Sequence, residues 1–378
     1  MTALQVVPDR PMLDPDALRD LDERLARTRL APDLGPTWER GVPRDWLAAL
    51  LADWRAFDTG SFQDRLDRLT HLRADIDGHA IHLVHAAGRG PDPRPLLLTH
   101  GWPGSFLEYA PLLPLLAEDF TLVIPSLPGY GFSAPPPPEG LTARAIAGRW
   151  HRLMTDGLGH GRYVAHGSDL GAGITAWLAR DHPDAVDAIH LATPGLPVPV
   201  ELRSTAEREY AAAAQAWTSE HGGYAHEHAT KPATLGAALH DSPAGLAAWI
   251  GEKVVAWSST YPDGEPAFDR DLLLGTLTLY WATGTIATSL LPYWAYQHQP
   301  ETVLTPDDPS PVPTAVSIFG GEHVPFPKPP RSLAQRYYTL TAWAEHPVGG
   351  HFPSVAEPSL LARALRDTLG RDTRGQPS

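Results

Sequence analysis

The spacing of apolar residues changes its period several times along the chain. Between residues 14 and 56 it is helical. Leu18, Leu21 and Leu25 fall on one face of a helix that starts at Asp14-Pro15 and runs to Thr28, and Trp46, Leu47, Leu50, Leu51 and Trp54 form a second stripe behind Pro43. A stripe of that composition belongs in a core. Leu72 to Ile76 and Ala80 to His85 then flank Asp77-Gly78, the pattern of a hairpin. Short, continuous apolar runs follow at Pro95 to Thr99, Thr121 to Pro125, Tyr163 to Ala165 and Val186 to Ala192, as in strands buried on both faces. Helical segments at Thr142 to Leu158 and Ile174 to Arg180 lie between them. This alternation predicts an α/β fold, a mostly parallel sheet with helices on both faces. From about 196 to 305 helices run without strands, at Glu207 to Trp217, Pro243 to Trp257 and Asp269 to Leu291. Strands return at Thr314 to Phe319 and Thr341 to Glu345, and Pro358 to Leu369 is a terminal helix. The expected division is a helical arm (1–70) packing on core and cap, a first core segment (71–195), a helical cap over the strand ends (196–305) and a second core segment (306–378). Proline clusters at Pro135 to Pro138 and between Pro306 and Pro330 mark loops.

Composition narrows the function classes. The formal charge of −14 argues against a polyanionic partner such as nucleic acid. The absence of cysteine excludes disulfides, thiolate metal sites and cysteine nucleophiles. No apolar run reaches the length of a membrane span, and the stretch from Met1 to Asp9 lacks a signal-peptide core. The expectation is a soluble, cytoplasmic protein with no membrane partner, and a homodimer by common symmetry habit.

The chemistry gathers where strands end. Tyr163 to Ala165 runs into His166-Gly167-Ser168-Asp169-Leu170-Gly171, and a helix follows. That is the strand–turn–helix setting of a nucleophile elbow. The turn brings together the residues two before and two after the nucleophile, so both must be small. Ser168 would be flanked by His166 and Leu170, whereas Asp169 is flanked by Gly167 and Gly171. A carboxylate nucleophile is therefore indicated. By itself the stretch also reads as a glycine-rich turn with Asp169 as a helix N-cap. His100-Gly101-Trp102-Pro103-Gly104-Ser105 follows another strand, where a backbone donor for an oxyanion belongs, and His100 reads as structural. Glu322 and His351 also follow predicted strands. The order Asp169, Glu322, His351 is nucleophile, acid, histidine, the α/β-hydrolase order, and it favours the catalytic reading of Asp169. His221, His226 and His228 lack the helical pair spacing of a metal site, so no metal is expected, and they read as polar loop surface.

The chain resembles the α/β-hydrolase-fold epoxide hydrolases of the microsomal and juvenile-hormone type and their bacterial soluble relatives. Five stretches carry the resemblance: Asp75 to His82 in the family's N-terminal domain, His100 to Ser105, Gly167 to Gly171, Tyr280 to Ile286 in the cap, and Gly349 to Phe352. The resemblance implies Asp169 as nucleophile, His351 as water-activating base and Glu322 as its orienting acid, with Glu345 as the fallback. It implies Tyr224 and Tyr293 as the tyrosines that polarise the epoxide. Trp102 would line the site, and the backbone N–H groups of Trp102 and Leu170 would form the oxyanion hole. No cofactor is implied; the partners are a small-molecule epoxide and water. Leu170 stands where the family often has Trp, and the segment after Glu322 is longer than usual. A haloalkane dehalogenase would share Asp169 and His351 but needs N–H donors for halide. A serine esterase through Ser168 is opposed by the elbow's sterics, and an inactive scaffold by the intact residue set. The cap aromatics suggest an apolar or aryl epoxide, in detoxification or in natural-product tailoring.

Overall fold

A computed structural model of the chain describes residues 4–135, 137–260, 266–299 and 303–370. The proline run at 135–138 lies partly outside these residues. Among these residues nine strands form one sheet: β1 (Val6–Asp9), β2 (His71–Ile76), β3 (His79–Ala86), β4 (Arg94–Thr99), β5 (Phe120–Pro125), β6 (Tyr163–Ser168), β7 (Val186–Ala192), β8 (Ser310–Gly320) and β9 (Tyr338–Gly349). Their order is β1-β2-β3-β5-β4-β6-β7-β8-β9. From β5 through β9 every pairing is parallel, and β1, β2 and β3 extend that block antiparallel. The predicted hairpin is present, with Asp77 (φ 58°) and Gly78 (φ 78°) both in the left-handed region. Two positive φ values at the centre of a two-residue loop match the right-handed twist of the strands. Leu96, Leu97 and Leu98 of β4 are fully buried, which is why that run carries no polar alternation.

The arm is not purely helical, as was expected of it. It begins with β1, paired to β2 at the sheet edge. Its helices Pro15–Ala26 and Arg44–Ala56 then turn to the cap. Trp54 Nε1 donates to Thr278 Oγ1 at 2.9 Å, and Trp281 Nε1 donates to the Ala17 carbonyl at 3.0 Å. The stripe of Leu50, Leu51 and Trp54 is core packing, as its spacing indicated.

Between β7 and β8 the chain builds a cap of helices. Thr205–His221, Pro243–Trp257 and Arg270–Thr283 were anticipated from their apolar content. Gly223–Thr230 and Pro232–Asp241 were not. The expected long final helix instead breaks at Gly284, a left-handed C-cap, and resumes as the short helices Ile286–Ser289 and Leu291–His298. No helix among the described residues is long and apolar enough to cross a membrane.

Candidate active site

The site begins at a turn that only glycine permits. β6 ends at Ser168, and Asp169 adopts φ 52°, ψ −127°, a strained conformation for a residue with a Cβ. The helix Leu170–Asp181 starts at once. A Cβ on Gly167 would overlap the Gly171 carbonyl, and one on Gly171 would overlap that of Thr99. The two flanks thus touch each other and the neighbouring strand end. Asp169 stands at the N-cap position but makes no side-chain cap bond. Its carboxylate turns away to the 100–105 loop, where Trp102 N–H donates to Oδ1 at 2.8 Å. The N-cap alternative is therefore not what the side chain does.

That contact places one of the two expected oxyanion donors against the carboxylate. Leu170 is the first residue of the elbow helix, where an N–H has no partner within the helix. The second carboxylate oxygen, Oδ2, lies 3.2 Å from His351 Nε2. His351 follows β9, which extends through Gly349 rather than stopping at Glu345, so most of the expected loop after it is strand. Gly349 (φ 109°) and Gly350 (φ 59°) make the turn. The imidazole sits between aromatic rings, with Phe326 stacked at 4.9 Å and Trp257 edge-on at 5.1 Å. Its backbone N–H donates to the Trp257 carbonyl at 3.0 Å.

Glu322 lies just past β8 with its side chain buried, and its carboxylate forms an ion pair with Lys328. No hydrogen bond joins Glu322 to His351 among the described residues; both loops instead lean on residues 257–260. Ser259 pairs with Glu322 through the backbone and accepts the Gly349 N–H at 2.8 Å through its Oγ. The fallback acid, Glu345, is exposed and accepts from Trp343 Nε1 at 2.8 Å.

Two cap helices supply the tyrosines. Tyr224 comes from Gly223–Thr230 and Tyr293 from Leu291–His298, and these helices pack on each other. The rings meet edge-on at 6.0 Å. Burial raises both phenols well above their ordinary range, reinforced by the Asp169 charge at Tyr224 and by Tyr224 and then Asp169 at Tyr293, so both are protonated at neutral pH. The Trp102 ring stacks on Tyr224 at 5.5 Å and meets Tyr293 edge-on at 6.1 Å. Asp169, His351, Trp102, Tyr224 and Tyr293 are thus brought together, with Glu322 one loop away.

Sequence reading missed two residues here. His228 was taken as polar loop surface, yet it is a fully buried helical residue. Its ring lies edge-on to Trp102 at 4.7 Å and to Tyr293 at 4.9 Å, and Nε2 accepts from Trp249 Nε1 at 3.1 Å. Burial, with Lys253 nearby, pulls its pKa down to about 3, so it is neutral. Glu108 is the second. It stands three residues after Ser105, a spacing that reads as a helix capping box and conceals any other role.

Residues 7–109 match the family described as the epoxide hydrolase N terminus, and residues 94–220 match the alpha/beta hydrolase fold. A Stigmatella aurantiaca protein provisionally named an epoxide hydrolase is 38% identical over 378 residues, covering 96% of this chain and 84% of its own. Juvenile hormone epoxide hydrolase 2 of Ctenocephalides felis is 33% identical, covering 95% of this chain and 84% of its own. Among solved structures, Aspergillus niger epoxide hydrolase superposes with a TM-score of 0.82 at 30% identity, over 96% of this chain and 95% of that one. In sequence and in fold, along nearly its whole length, this chain belongs to the epoxide hydrolases of the α/β-hydrolase fold.

Proposed function

We propose that the protein converts an apolar or aryl epoxide to a vicinal diol through a covalent ester on Asp169. The observation that carries this reading is the division of labour at one carboxylate. Oδ1 is held by the Trp102 N–H and Oδ2 faces His351 Nε2, below two phenols kept protonated. In this scheme Oδ2 attacks an epoxide carbon while Tyr224 and Tyr293 hydrogen-bond the ring oxygen, and one of them gives it a proton. Donation of this kind is worth on the order of 10²–10⁴-fold. His351 then takes a proton from a water that attacks the Asp169 carbonyl carbon. The negative charge collects on Oδ1, where the Trp102 N–H, joined by Leu170 N–H, stabilises it; one such donor is worth about 3–4 kcal/mol. Glu322 acts as the acid that orients His351 in this reading, with Lys328 competing for its charge.

The family names of the relatives support epoxide as the substrate class, and the aromatic cap supports an apolar one. The reading includes a cytoplasmic protein, for which the absence of cysteine is the support, and a homodimer, which sedimentation would test.

A single turnover with excess enzyme and a styrene-type epoxide in oxygen-18 water tests the scheme. The expected result is label in the Asp169 peptide and unlabelled diol. Labelled diol with an unlabelled peptide would mean direct attack by water and would remove the covalent step. His351→Gln should still form the ester but hydrolyse it at least 100-fold more slowly, so that the modified peptide accumulates in a mass spectrum.

A further inference from the structure

Two phenols hydrogen-bond the epoxide oxygen in the scheme above, and their surroundings differ in charge. Tyr293 is ringed by uncharged groups. Trp102 and Tyr224 meet it edge-on, and so does His228, which burial keeps neutral. No cation lies over the Tyr293 ring among the described residues.

Tyr224 is placed differently. The cap helix Pro243–Trp257 turns Lys253 inward, so that its ammonium lies over the Tyr224 ring, 4.9 Å from the centroid, and 5.9 Å from that of Trp249. Both distances are within cation–π range. A lysine head group ordinarily stays in water. This side chain is 13% exposed and leans on an aromatic wall of the site instead. It forms an ion pair with Glu252, the next residue. Glu252 is the more open of the two at 27%, so solvent screens the carboxylate more than the ammonium that the ring meets.

Building on the covalent reading, we propose that Lys253 is a positioning residue that makes Tyr224, rather than Tyr293, the donor of the proton to the epoxide oxygen. As Asp169 Oδ2 bonds to the epoxide carbon, the ring C–O bond breaks and its electron pair goes to the oxygen. The Tyr224 O–H bond breaks, the oxygen takes that proton and becomes the new hydroxyl, and a phenolate is left. The negative charge has then moved from the carboxylate, now a neutral ester, to Tyr224, where it spreads into the ring. There it meets the Lys253 ammonium in a poorly solvated setting, where opposite charges attract more strongly than in water. A phenolate on Tyr293 would have no cation over its ring. Lys253 makes only a cation–π contact with the neutral phenol, so most of its effect falls on the barrier rather than on binding. Tyr293 donates a hydrogen bond to the same oxygen and keeps its proton. When the ester is hydrolysed Asp169 is left as an acid, and its proton makes up the one that Tyr224 gave.

Rapid quench with a styrene-type epoxide separates ester formation from ester hydrolysis in the wild type and its variants. Lys253→Met keeps the length and loses the charge; it should slow ester formation about 10-fold or more and leave hydrolysis within about 3-fold. Lys253→Arg keeps the charge and should recover most of the loss, a rescue that packing alone would not give. Tyr224→Phe should slow ester formation about 100-fold and Tyr293→Phe nearer 10-fold. In a Tyr224→Phe background Lys253→Met should have no further effect, whereas in a Tyr293→Phe background it should have its full effect. A methionine variant that slows both steps alike, or neither, overturns the proposal, as does an arginine variant no faster than the methionine one. So does a Tyr293→Phe variant slower than Tyr224→Phe, a comparison that stands even if no Lys253 variant folds. A wild type that never forms an ester removes the covalent reading, and this proposal with it; a wild type that forms one while the variants depart from this order removes the proposal alone.

Discussion

At Gly171 a methyl group has nowhere to go, because the obstacle is the rigid carbonyl of Thr99 at the end of a buried strand. Gly171→Ala should therefore displace Asp169 from the Trp102 N–H, with kcat falling by 100-fold or more as the nucleophile moves about 1 Å. Kinetics on folded protein, verified by circular dichroism, would check it. The constraint is local in sequence, and that is why Asp169 could be read from two glycines. His228 could not be read so. Its position depends on the neighbours of a helix whose residues, Gly223 to Thr230, carry little apolar periodicity. The Glu322–Lys328 ion pair was hidden for a similar reason, since it closes across a proline-rich stretch with no regular spacing. The tyrosines make a pH prediction of their own. Their pKa values are raised, so the donating acid form persists to higher pH than for a free phenol. The rate of ester formation should show no alkaline decline below about pH 10, the ordinary tyrosine value, in pre-steady-state profiles.

Strands and helices were legible in proportion to how much their own residues set their environment. β4, β5 and β7 are continuous apolar runs because helices cover both faces of the sheet. β1 is four residues long and includes Pro8, a residue tolerated on an edge strand but a poor strand signal. β9 is the other edge, and Pro347 masked its continuation to Gly349 in the same way. The arm helices were visible from their stripes and were expected to pack on core and cap, but which cap helix they would meet was not legible. The answer is the cap helix Arg270–Thr283, through Trp54 and Thr278. Trp54→Ala should cost ~3–5 kcal/mol, the usual range for emptying such a site. Trp54→Phe keeps most of the packing but leaves Thr278 without its indole donor, and should cost about 1–2 kcal/mol. Urea midpoints would rank the two.

Across the whole molecule, several imidazoles are sealed in the sheet and its surroundings. His166 and His190 bond each other across β6 and β7, His82 lies in β3, and His100 follows β4. Burial lowers every one of their pKa values, to about 4 for His100 and His166 and well below 6.5 for His82 and His190. The unfolded chain binds protons at these sites below pH 6.5 while the folded one does not, so stability is intact above 6.5 and falls as pH drops toward 4. The slope approaches about 1.4 kcal/mol per pH unit for each such group. Denaturant midpoints at pH 7, 6 and 5 would show the decline. The cap is also bound to the loop that carries His351. The helix Pro243–Trp257 runs into the segment whose Trp257 carbonyl accepts the His351 N–H and whose Ser259 hydroxyl accepts the Gly349 N–H. A cap borrowed from a relative to change substrate range would have to bring residues 257–260 with it, or keep the native ones. The shape of the cap and the placement of His351 are in this way inherited together, so drift in the one carries over to the other.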